Sequence, residues 1–180
     1  MQQTLLRDDQ TIKNLKANDP LDLAQKAKAS ASGVHETALA ENVLNGFTRD
    51  MPEKFGNRWV GPMSKDGAWL ELTWDKPQTI SHVQMILDSG MTRGELTLSS
   101  NDGMSKGHTY APQPELLKDF TILGKKSGGE NFEPLIEVKD NIQRLVRCDF
   151  ASTKLDAIRI LVQSTNGDKL ARIYEVRAYA

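Results

Sequence analysis

Beyond residue 30, apolar residues fall at every second position through much of the chain. AWLELTW (68–74) puts Ala68, Leu70, Leu72 and Trp74 on one side. ISHVQMILD (80–88) does the same with Val83, Met85 and Leu87, and GELTLSS (94–100) with Leu96 and Leu98. A period of two is the repeat of a β-strand whose alternate side chains face a core. DFTILGKK, FEPLIEVKD, QRLVRCDF, LDAIRILVQS and ARIYEVRAY follow, separated by the polar turns SGGEN, Asp140-Asn141, ASTK and TNGDK. Short strands at this spacing leave no room for a regular series of helices, and they predict an all-β antiparallel sandwich or barrel.

The pattern differs before residue 30, where apolar residues are scattered among charges. Asp19-Pro20 there predicts a short helix through LDLAQKAKA, with Asp19 as N-cap and Pro20 at the first helical position. The chain is therefore divided into a tail, 1–29, and a sandwich, 30–180. A chain opening this way has the look of a piece whose tail would contact a preceding part of a larger protein.

Composition narrows the function classes. The 180 residues suit one domain with a full-sized core. Lys plus Arg is 23 and Asp plus Glu is 24, so a net charge of -1 offers no global field to attract nucleic acid or an anionic membrane. No apolar run is long enough to span a bilayer, and the first thirty residues lack a signal-peptide layout. The single cysteine, Cys148, lies in the apolar run LVRCDF and reads as a small buried residue.

Order and spacing carry a resemblance over about residues 30–180. AKASASG leads into ALAENVLNGFTRDMPEKFGNRW, then WLELTW, TISHVQMILD and, last, LDAIRILVQSTNGDKLARIYEVRAY. This resembles a galactose-binding-like jelly roll, the group of discoidin and the C-type domains of coagulation factors V and VIII. Asn45-Gly46, Trp59, Trp69-Leu70-Glu71-Leu72 and Ile173 to Tyr179 stand where that group has its turn, its tryptophan, its second strand and its last strand. TLLRDDQTI, DLAQKAKASASG and DNIQRLVRCDF are further similar to the C-terminal region of secreted bacterial FAD-dependent oxidoreductases. That likeness implies a catalytic domain upstream in the same polypeptide, and a secreted or periplasmic parent. No Gly-rich dinucleotide fingerprint follows a strand, so this chain alone holds no FAD in the usual way.

Two sites follow from the resemblance. In similar domains the opening segment wraps a structural Ca²⁺ with an aspartate, backbone carbonyls and a glutamate of the last strand. Carried onto this chain, the ligands are Asn45, Thr48, Asp50 and Glu175. Asparagine at 45 removes one negative charge from such a cage, and the alternative there is an Asn-Gly turn closed by its own side chain. A sugar site on the loops at one end needs an aromatic face and a few fixed polar groups. Its candidates are Phe55, Asn57 and Arg58, Arg93 in SGMTRG, and His108 with Tyr110 in the long 101–114 loop, while Trp59 and Trp69 are expected in the core.

Catalytic signals are weak. GKKS at 124–127 has Asp119 where a phosphate loop needs its first glycine, and His35, His82 and His108 show no metal-pair spacing. The expectation is a non-catalytic accessory module of a larger oxidoreductase, with carbohydrate as the implied ligand and no cofactor of its own beyond calcium. The alternative is a docking domain that steadies the catalytic part without binding glycan.

Overall fold

The computed structural model describes residues 19–50, 56–91 and 111–180. Seven strands run through them: β1 (Ala27–Ala31), β2 (Trp59–Pro62), β3 (Ala68–Leu87), β4 (Leu117–Lys126), β5 (Phe132–Val138), β6 (Leu145–Thr165) and β7 (Leu170–Tyr179). Every pairing is antiparallel, and the order is β2-β7-β3-β6-β4-β5, with β1 on β3. The fold is the expected antiparallel β-sandwich. The expected strand GELTLSS lies outside the described residues.

Two long strands serve both layers. The first half of β3 pairs with β1 and with the second half of β6, which carries β4 and then β5. The second half of β3 pairs with the first half of β6 and with β7, which carries β2. Register slips between Thr73 and Gln78 and between Ile80 and His82 divide the halves. The sequence reading breaks at the first of these, so residues 68–74 and 80–88 read as two strands, as do 143–150 and 155–164; each pair is one continuous element. Pro77 is tolerated because it falls in the slip, where no ladder partner requires its missing N–H.

The alternation places one face of each half in a common core. Leu70, Leu72, Phe120, Ile122, Ile158 and Ile160 come from one layer; Val83, Met85, Val146, Cys148 and Val176 come from the other. Each fully buried side chain of this size contributes about 1.5–3 kcal/mol by leaving water. Burial pushes the Cys148 thiol up to about 11, with Asp149 adding to the effect, so it stays a thiol at neutral pH.

Trp69 departs from expectation. It shares β3 with Trp74 but has the opposite parity, so it lies half-buried on the outer face. There the Arg159 guanidinium sits 4.6 Å from the Trp69 ring and 4.1 Å from that of Phe132. Its Nε and Nη2 donate to Glu71 Oε2 at 2.9 and 2.6 Å.

Residues 19–29 are bonded to the sandwich. The expected helix is a single 3-10 turn, Leu23–Lys26, capped by Asp22 rather than Asp19. The buried Asp22 Oδ1 accepts from Ala24 N at 2.9 Å and from Ala178 N at 3.0 Å, which ties the turn to the end of β7. Asp19 accepts instead from Leu21 N and, at 2.9 Å, from the Tyr179 hydroxyl. The position 29/30, taken as the limit of the tail, falls inside β1.

Trp59, fully buried in β2, folds its ring over its own strand, and its indole N–H donates to the Gly33 carbonyl at 3.0 Å. Gly61 makes this possible, since a Cβ there would stand 2.2 Å from the ring. Gly61→Ala is expected to destabilise the domain by about 1–3 kcal/mol, the usual cost of overpacking. Urea unfolding of the two proteins measures it.

Candidate functional site

The open end of the sandwich is organised by charge. A bulge in β7 starts the site: Ile86 pairs with Glu175 and Leu87 with Ile173, so Tyr174 is the extra residue and is re-aimed by it. The Arg58 guanidinium lies 5.4 Å from the Tyr174 ring and donates from Nη1 to its hydroxyl at 2.8 Å. Nη1 also donates to Asp50 Oδ2, while Nε lies 3.3 Å from Asp88 Oδ2 without hydrogen-bond alignment. Arg172 follows, with Nη1 3.9 Å from the same Asp88 oxygen and Nε 2.9 Å from Asp168 Oδ2. Acceptors and donors therefore alternate as Asp50, Arg58, Asp88, Arg172 and Asp168.

Burial sets the strength of this row. The Asp88 side chain is 2% exposed and that of Arg58 14%. Burial works against the Arg58 charge, but Asp88, Tyr174 and Asp50 outweigh it and hold its pKa above the ordinary value. Asp88 is oriented from within its own turn, where Oδ1 accepts from Gly90 N at 2.9 Å.

The opening loop is laced across its base. Asn42, which sequence reasoning missed, donates from Nδ2 to the carbonyls of Gly56 and Arg58 at 2.8 and 3.1 Å. It stands on a 3-10 turn, Ala40–Leu44, that buries Ala40 and Val43. Asn57, expected to face a sugar, is buried; its N–H donates to Asp50 Oδ1 and its side chain to the Arg49 carbonyl. Phe55, Arg93, His108 and Tyr110 lie outside the described residues.

Above the row opens a cleft of about 370 Å³, lined by His35, Glu36, Thr37 and Ala38, by Asp50, Gly56, Arg58 and Val60, and by Leu170 and Arg172. Of the expected sugar-binding residues, Arg58 lines it. His35 and Glu36 were not singled out for it, because they are brought to the cleft by the bond from His35 N to the Val60 carbonyl, which no local pattern announces. Glu36 takes a left-handed backbone, φ 55°, at the rim.

Residues 22–111, half of the chain, match a family described as "Domain of unknown function (DUF7402)". The chain belongs to DUF7402. No curated protein matches it at a significant level. Among solved structures, the DUF7402 chain is similar to a chitosan-binding module from a chitosanase/glucanase of Paenibacillus sp. IK-5, at TM-score 0.63 and 14% identity over 88% of this chain and 98% of that one. It is similar to CpGH89CBM32-5 from Clostridium perfringens, solved in complex with GalNAc-beta-1,3-galactose, at TM-score 0.64 and 17% identity over 88% and 99%. A Streptococcus pneumoniae fucose binding module gives TM-score 0.64 and 15% identity over 91% and 99%. At these identities the likeness establishes the fold alone, that of an antiparallel β-sandwich.

The four residues expected to hold calcium are engaged with protein donors in this DUF7402 domain. Asn45 Oδ1 accepts from Phe47 N at 2.8 Å, closing the Asn-Gly turn in which Gly46 has φ 79°. The Thr48 carbonyl accepts from Arg144 Nη2, and both Asp50 oxygens accept, from Asn57 N and Arg58 Nη1. Both Glu175 oxygens accept from Arg177, at 2.9 and 3.0 Å. Among the described residues no three His, Cys, Asp or Glu side chains are grouped to hold a metal. A cation placed about 4 Å from a guanidinium would meet a repulsion of about 4 kcal/mol per unit charge at an effective dielectric of 20.

The Tyr174 phenol is pushed up to about 12 by burial, with Asp88 adding and Arg58 opposing. An unfolded tyrosine titrates near about 10, so this raised pKa gives stability that is present below pH about 10 and lost as pH rises toward 12. Tyr174→Phe is expected to cost about 1–2 kcal/mol at pH 7, from the lost bond to Arg58, and to flatten the decline above pH 10. Urea midpoints taken from pH 7 to 11.5 read both effects.

Proposed function

We propose that this domain is a non-catalytic accessory module that binds carbohydrate in the cleft above Arg58. The observation that carries the reading is the row of alternating carboxylates and guanidiniums beneath that cleft. A sugar hydroxyl both donates and accepts, and bonds to ionised partners are about twice as strong as neutral ones. Vicinal hydroxyls thus match carboxylate and guanidinium side by side, while the pairing of these charges leaves little field to draw in an ion. The volume lies within the roughly 300–1,000 Å³ of small-ligand sites. Solved proteins of the same fold include ones described as binding chitosan, fucose or GalNAc-beta-1,3-galactose, which supports this ligand class.

His35, Glu36, Arg58 and Arg172 are assigned to the cleft, and Phe55, Arg93, His108 and Tyr110 complete the candidate set from the sequence. We further assign the domain to the C-terminal part of a larger, exported bacterial oxidoreductase that uses FAD, on the likeness of its tail and last strands. A docking role without glycan is the second reading. It is favoured by the outer face, where Trp69 and Phe132 clasp Arg159 half-exposed instead of lying in the core.

Glycan-array screening of the whole chain, followed by titration calorimetry with the best hit, tests the first reading. Glu36→Ala and His35→Ala remove exposed cleft side chains whose loss leaves the core untouched. Each is expected to weaken binding about tenfold, the loss of one hydrogen bond to the sugar, at unchanged Tm. An array without a hit sinks the reading in favour of docking.

A further inference from the structure

The residues of the opening loop that a calcium ion would use are all bonded to protein donors, and the cationic ones among those donors are two arginines, Arg58 of the loop itself and Arg144 from far along the chain. Arg144 precedes β6, and its carbonyl accepts from Leu87 N at 2.8 Å, which seats its backbone against the end of β3. From there Nη2 reaches the Thr48 carbonyl, 96 residues earlier. Its guanidinium lies 5.9 Å from the Tyr174 ring, which Arg58 approaches at 5.4 Å. One arginine thus takes the loop's backbone oxygen and the other its carboxylate, Asp50, with one aromatic ring adjoining both. Glu175, the carboxylate of the last strand, is held by both nitrogens of the Arg177 fork.

We propose that guanidinium groups do the work of a metal ion in this loop: Arg144 and Arg58 cross-link its oxygens, and the domain takes its shape without calcium. Calcium demands six to eight oxygens at about 2.3–2.6 Å, so binding it here would compete with the donors that Asn45, Thr48, Asp50 and Glu175 already hold. A guanidinium supplies the same positive charge with up to five directed N–H groups, and a fixed fork that a lysine lacks. Arg144 is a positioning residue in this scheme, since it shapes the loop that carries Asp50 and Arg58 to the cleft without lining the cleft itself. The inference concerns the loop alone and does not depend on the ligand of the cleft.

Purified protein of 180 residues is dialysed against EDTA, and its Tm is measured with EDTA and with 1 mM CaCl₂. The expected result is the same Tm in both, with no calcium retained by elemental analysis. A site of micromolar affinity would raise Tm by several degrees at that concentration, and such a rise, or one calcium per chain, overturns the proposal. Arg144→Ala is expected to lower Tm by roughly 2–8 °C in both buffers, and Arg144→Lys by part of that amount. If the alanine variant fails to fold, the lysine variant gives the reading, and a Tm equal to that of the unmodified protein in either variant that folds overturns the role of Arg144.

Discussion

One buried charge governs the open end of this sandwich. Arg58 sits where the core of two sheets gives way to loops, and a guanidinium taken out of water there is tolerable only while carboxylates face it. Asp50 faces it from the loop and Asp88 from the turn after β3, so two segments far apart in sequence are held at fixed distance from one side chain. Asp88 is then shared with Arg172, and Arg172 with Asp168. Removing Arg58 or Arg172 leaves Asp50 or Asp168 without its guanidinium, and removing Asp88 takes a partner from both arginines, which makes the row act as a unit rather than as separate surface pairs.

The bulge at Tyr174 is what allows a β-strand to serve both the core and this row. A strict alternation in β7 would send successive side chains to opposite faces, yet Ile173, Tyr174, Glu175 and Val176 are all buried. The extra residue shifts the parity, so Ile173 and Val176 reach the core while Tyr174 adjoins two arginines and Glu175 pairs with Arg177. The site is in this sense built from a defect of the sheet, as bulges beside functional sites commonly are.

The strands were legible in the sequence because period-two patterning is local, and the faces of residues 68–74 and 83–87 follow from it directly. Continuity was not legible: Asp75 to Thr79 looks like a turn, whereas it carries the slip in a single strand that β6 pairs up to Thr73 and again from Gln78. The N-cap was misplaced for a similar reason. Asp19 and Asp22 are equivalent as local signals, and the choice of Asp22 is made by the N–H of Ala178 at the far end of the chain. At the candidate site, Arg58 and Asp50 were singled out for separate tasks, sugar and metal, whereas they bond to each other. Arg144 left no signal at all, since a single arginine before a strand is indistinguishable from a solvated one until the partner 96 residues away is placed against it.

The bonds from Asp22 to Ala178 and from Asp19 to Tyr179 fasten the chain near residue 19 to the last residues of β7, while Leu170 and Arg172 at the first residues of that strand line the cleft. Ten residues of strand, on the order of 30 Å, separate the two. Force applied between a molecule held in the cleft and a tether at residue 19 would therefore run lengthwise down β7. Its ladders to β2 and β3 would be loaded in shear, with many hydrogen bonds resisting at once, rather than peeled open one at a time.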